Sequence, residues 1–219
     1  MNSAQFLLFI PTALLLAIAP GPDNLGVLAL GLSAGRRASF GFALGCAAGC
    51  LNHTLLAVLG VSALIAASPM AFKTLQWAGA AYLVWIGWQS LRQSLGRNAK
   101  EQSNTENDGH FLPHFKRGLI ANAINPKVAL FFLAFLPQFV QSGSWGLPQQ
   151  LGVLGILFTL ISALVFCMLA ASAGGIGSWL KRSPRALPLL QGATGLLFMA
   201  LALRLILTDG VAPPPARPA

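Results

Sequence analysis

Two ionisable residues stand where an apolar chain has no packing reason to carry charge. Asp23 follows Pro20-Gly21-Pro22 and precedes Asn24, and Lys127 follows Asn122-Ala123-Ile124-Asn125-Pro126, each inside a long hydrophobic run. An ionisable group in such surroundings is a functional candidate by default. Proline removes a backbone donor and disturbs the preceding helical turn, and Gly21 between two prolines loosens the chain further. Each motif therefore reads as a broken helix, one carrying an acid and the other a base. A plain proline kink explains the bend but not the adjacent charge. Carbonyls freed at membrane depth need partners, so such breaks face protein or a water-filled cavity.

The half-helices starting at these prolines have amino ends where unsatisfied N–H groups and the macrodipole favour an anion. Asp23 suits that place. The Lys127 ammonium faces the positive end of its own half-helix, so it reads as an exchangeable counter-ion for a carboxylate, either Asp23 or one on a ligand. The alternative is a lysine snorkelling to the surface, with ten residues to bridge back to Arg117.

A third candidate closes a stripe at four-residue spacing, Gly41, Gly45, Gly49 and then His53. The glycines allow close helix packing and the same face carries the imidazole inward. A proton relay or substrate contact and a neutral, hydrogen-bonded bundle histidine are equal readings of His53. Cys46 and Cys50 share a helical face, but no third thiolate or carboxylate completes a metal site. Small-residue packing is the better reading, and with Cys167 also in an apolar run no disulfide framework is indicated. No Walker, Rossmann, Gly-x-Ser-x-Gly or His-Glu-x-x-His motif is present. We therefore expect no cofactor, no metal and no enzyme activity.

The elements that must position these residues follow from composition. With 55% hydrophobic and 9% charged residues over 219 positions, this is an integral membrane protein. The continuous runs point to an all-α fold rather than a barrel. The +9 charge is explained by basic cytoplasmic loops, without nucleic acid. Six spans are expected, at about 5–32, 39–66, 71–92, 116–140, 149–179 and 187–208. The four phenylalanines of the fourth, Phe131, Phe132, Phe135 and Phe139, read as lipid-facing and packing groups. Ala17-Ile18-Ala19 has the form of a signal cleavage site, but no basic residue precedes Arg36 and Pro20 follows directly, so the segment reads as the first span.

Loop charge sets the orientation. Arg36, Arg37, Arg92, Arg97, Lys100, Lys116, Arg117, Lys181, Arg182 and Arg185 fall on one side, against Lys73, Arg204 and Arg217 on the other. Both termini should then be periplasmic. The chain divides into a first three-helix repeat (1–92), a cytoplasmic linker (93–113), a second three-helix repeat (114–208) and a disordered proline-rich tail (209–219). An odd number of crossings inverts the second repeat. Broken helices one and four then occupy equivalent positions, where inverted-repeat transporters bind substrate. Helical rise places Asp23 about 20 Å and Lys127 about 15 Å from the same flank, close enough to pair directly or through substrate and water.

Several segments together resemble a known family. Pro20-Gly21-Pro22-Asp23, the Gly45 to His53 stretch, Trp77-Ala78-Gly79-Ala80-Ala81-Tyr82-Leu83-Val84-Trp85-Ile86-Gly87, and Asn125-Pro126-Lys127 through Phe135-Leu136-Pro137-Gln138-Phe139 occur in the order seen in LysE/RhtB amino-acid exporters. The likeness covers about residues 5–140, with the remainder similar in hydrophobic layout. It implies a bacterial inner-membrane efflux protein exporting amino acids or derivatives by exchange with protons. Substrates in such a family include basic amino acids, homoserine and threonine, and leucine. The lone intramembrane acid, Asp23, favours a zwitterion over a dibasic substrate.

The expected substrate site is Gly21, Pro22, Asp23, Asn24, Asn122, Asn125, Pro126 and Lys127, with Asp23 or His53 carrying the coupling proton. Partners are then an amino acid, protons and membrane lipid, with a homo-oligomer left open. A thiol redox carrier, a metal-ion exporter or a passive channel are the alternatives from other classes.

Overall fold

The computed structural model describes residues 3–95, 109–141, 145–183 and 185–207, and every long element among them is a helix. In order these are α1 (Ser3–Ile18), α2 (Pro22–Ser33), α3 (Arg36–Leu56), α4 (Ser62–Ala67), α5 (Pro69–Leu95), α6 (Phe111–Ala123), α7 (Pro126–Leu130), α8 (Leu147–Arg182) and α9 (Ala186–Leu207). A π-helical turn, Ala57–Val61, joins α3 to α4, and another, Phe131–Phe135, continues α7 into a last 3-10 turn ending at Phe139. Most of the expected linker, residues 96–108, lies outside the described residues, as does the expected tail. Positions 93–95 and 111–113 of that linker are helical, extending α5 and opening α6.

The prolines break the chain where expected. Pro20 and Pro22 have no N–H to give to the carbonyls of Leu16 and Ile18, so α1 stops and α2 restarts with Pro22 at its first position, bent by 50°. Pro126 likewise opens α7, and the Phe111–Ala123 and Pro126–Phe139 segments meet at 49°. Three continuous helices, Arg36–Ile65, Leu147–Leu180 and Ala186–Leu207, are long and apolar enough to cross a membrane, and the two bent pairs raise the number to five. At 27 residues α5 is also long enough, about 40 Å, but Lys73, Gln76, Gln89, Arg92 and Gln93 make it more polar.

Close backbone approach sets the packing. A Cβ at Gly41 or Gly45 of α3 would strike the backbone of α6 at Phe111 or Phe115, and one at Gly118 of α6 would strike Phe42 of α3. The glycine stripe thus lets α3 and α6 touch backbone to backbone. Helix α3 also packs on α8, α5 on α9, and α2 on both α3 and α8. Along α8, Ile156, Leu160, Leu164 and Met168 form an exposed apolar stripe at one-turn spacing, a surface suited to lipid. The phenylalanines of the fourth expected span are not lipid-facing. Phe131, Phe132, Phe135 and Phe139 are all buried on one face of the segment, Phe131 and Phe132 against Phe158 of α8 and Phe139 against Phe9 of α1.

Candidate functional site

The two breaks meet at one small pocket, with room for little more than a water molecule. Gly21, Asp23, Asn24, Asn122, Asn125 and Lys127 all line it. Pro22 and Pro126 do not; they are exposed and act by starting α2 and α7. His53 stands behind Asn122, fully buried and outside the lining.

Several carbonyls at the two breaks have specific partners. At the first break Asn24 Nδ2 donates to Ala17 O at 2.9 Å and to Ile18 O at 3.3 Å. Ala19 O accepts from Lys127 Nζ, 2.8 Å away and supplied by the other half of the chain. At the second break, the missing Pro126 N–H leaves Asn122 O to Asn125 N and to His53 Nε2, each at 2.9 Å. A carbonyl only accepts, so His53 Nε2 carries the proton and Nδ1 is left buried without a hydrogen-bond partner. Asn125 caps α7, its Oδ1 accepting from Lys127 N at 3.1 Å.

The acid and the base line the same pocket but are not directly paired. Asp23 is 3% exposed; its Oδ2 accepts from Asn122 Nδ2 at 2.7 Å, while Oδ1 has no partner. Lys127 reaches past Gly21 to the Ala19 carbonyl, its Nζ also lying 5.5 Å from the centre of the Phe198 ring. Gly21 is needed here for space rather than conformation. Its φ of −159° is open to any residue, but a Cβ would lie 3.2 Å from Lys127 Nζ and 3.4 Å from its Cδ.

The pocket also includes Cys50, which the sequence assigned to packing, and Phe158, Ser162 and Phe166, which it passed over. The linear signal for the last three is their spacing, one helical turn apart. Among the described residues no group of three or more His, Cys, Asp or Glu side chains could hold a metal ion. The lining offers charge pairing and hydrogen bonding, with an acceptor oxygen, an ammonium and a set of amides arranged around a small space.

Comparison with known proteins identifies the family. The model for the LysE type translocator family matches residues 14–209, which takes in both breaks and the whole second half. A Salmonella typhimurium homoserine/homoserine lactone efflux protein is 31% identical over 87% of this chain and 90% of its own. The leucine efflux protein of Enterobacter sp. is 30% identical over 92% and 94%. An uncharacterised Vibrio cholerae membrane protein is 34% identical over 94% and 98%. No solved structure matches. With a family model that spans both broken helices and relatives aligned nearly end to end, the chain belongs to the LysE type translocator family.

Proposed function

We propose that this protein is a secondary transporter that exports amino acids or close derivatives across the bacterial inner membrane in exchange for protons. The observation that carries the reading is Lys127 on the Ala19 carbonyl, with Asp23 Oδ1 unpartnered in the same pocket. A zwitterion can replace that contact on both sides. Its carboxylate takes Lys127, and its ammonium takes the released Ala19 carbonyl together with Asp23 Oδ1. The efflux functions named for the Salmonella and Enterobacter relatives support an amino-acid cargo.

Six spans in two inverted repeats, with both termini periplasmic, are part of the reading, α5 making the sixth. The packing supports it. Under inversion α6 corresponds to α1 and α3 to α8, and both cross-pairs, α3 with α6 and α1 with α8, are in contact. The proton is carried by Asp23 or by His53 Nδ1, which stand on either side of Asn122. The pocket in this conformation is too small for an amino acid, so loading requires the halves to separate.

Counterflow of a panel of labelled amino acids in proteoliposomes, with and without a pH gradient, tests the reading. Accelerated exchange that responds to the gradient is expected, whereas passive leak without counterflow would indicate a channel. Lys127→Met should insert normally and exchange nothing; a variant working at the parental rate would sink the mechanism.

A further inference from the structure

One polar group in the pocket has no part in that exchange. Ser162 on α8 is 1% exposed, lines the pocket, and its Oγ has no hydrogen-bond partner. A serine or threonine in an apolar helix ordinarily turns its hydroxyl back to a carbonyl one turn earlier. Elsewhere on α8 this is what happens: Thr159 donates to Gly155 O at 2.9 Å, Ser172 to Met168 O at 2.6 Å and Ser178 to Gly175 O at 2.8 Å. Ser162 does not. Its polar neighbour is the lining thiol of Cys50, a weak donor and acceptor that already meets the Cys46 carbonyl and the Asn122 side chain, both at 3.7 Å.

The neighbours of Ser162 define what its hydroxyl serves. Phe158 and Phe166, one turn before and one turn after it, line the same pocket, so this face of α8 presents ring, hydroxyl, ring. The two charges come from the helix breaks, and they match the two charged ends common to every amino acid. The α8 face is what remains for the part that differs between amino acids.

Resting on the reading of the pocket as an amino-acid site, we propose that Ser162 selects the cargo by its side chain. Its Oγ hydrogen-bonds a hydroxyl or carbonyl oxygen on a short side chain held between Phe158 and Phe166, and an aliphatic side chain of the same size leaves it only the weak Cys50 thiol. A site built to bond a substrate hydroxyl rejects the analogue lacking it far more strongly than an apolar pocket rejects one methylene. The assignment therefore concerns which members of the amino-acid class are carried.

The test compares isosteric pairs in counterflow, threonine against valine and homoserine against norvaline. The parental protein should favour the hydroxylated member by about tenfold or more. Ser162→Ala should lower exchange of the hydroxylated member about tenfold while keeping the aliphatic one, bringing the ratio towards unity. Ser162→Thr, which retains a hydroxyl, should keep the preference. An unchanged ratio in Ser162→Ala overturns the assignment. So does equal loss of both substrates in Ser162→Ala with no recovery in Ser162→Thr, which marks a structural serine. Parental exchange with no hydroxyl preference defeats this assignment and leaves the amino-acid reading standing, whereas no exchange of any amino acid defeats both.

Discussion

Asn122 Nδ2 donates to Asp23 Oδ2 at 2.7 Å, joining the second broken helix to the first across a separation of 99 positions. The same residue offers its backbone carbonyl to His53 Nε2 at 2.9 Å, so one asparagine holds the acid and orients the imidazole. Asn122→Ala removes the shortest side-chain hydrogen bond to the buried Asp23 carboxyl. We expect about 1–3 kcal/mol lower stability and a large fall in exchange. Thermal unfolding in detergent and counterflow measure the two effects separately.

Gly21 and Gly45 should respond differently to alanine. At Gly21 the added carbon meets only the flexible end of Lys127, so Gly21→Ala should fold and insert normally. Displacing the ammonium by a few tenths of an ångström should still cost about tenfold in exchange. At Gly45 the added carbon meets the Phe115 carbonyl, which cannot move without separating α3 from α6. Gly45→Ala should cost at least about 1–3 kcal/mol of stability, visible as a lower melting temperature. Equal behaviour of the two variants in both assays would contradict the packing described.

Gln150 at the start of α8 fastens three segments. Its Oε1 accepts from Gln5 Nε2 at 2.9 Å and Gln141 N at 3.2 Å, and its Nε2 donates to the carbonyls of Gln141 at 2.8 Å and Trp145 at 2.9 Å. Gln150→Leu keeps the bulk and removes all of these bonds. A loss of about 1–3 kcal/mol is expected, read as earlier thermal unfolding, and an unchanged melting temperature would show the network to be dispensable.

Orientation is open to direct measurement. Gly109 and Trp145 are exposed and lie at opposite ends of the bent α6–α7 pair. In a background lacking Cys46, Cys50 and Cys167, a cysteine replacing Trp145 should react with a membrane-impermeant maleimide added to whole cells. One replacing Gly109 should react only after the membrane is opened. The reverse pattern would invert the proposed topology.

Much of the layout was legible because its signals are local. Proline at 22 and 126 dictates a break wherever it falls, and an acid and a base beside those breaks have no packing explanation. The glycine stripe announced a close helix contact without naming the partner, since spacing fixes a face and not what lies against it. Ser162 gave no such signal. A single serine in an apolar helix usually satisfies itself, and only the packed structure shows that its hydroxyl does not. The pairing of Lys127 with a backbone carbonyl was equally hidden, because every residue supplies a carbonyl and only folding chooses Ala19. The burial of Phe131, Phe132, Phe135 and Phe139 was hidden too, because spacing puts them on one face without saying whether protein or lipid covers it.

The contact between Lys127 and Ala19 joins the two halves of the chain, and it sits in the pocket proposed to take the cargo. A carrier built this way is latched when empty. On the proposed reading, one of the bonds that join its halves is dissolved by arriving substrate, so the unloaded protein resists reorienting and the loaded one is released to move. Tight exchange with little idle cycling then needs no separate gatekeeper.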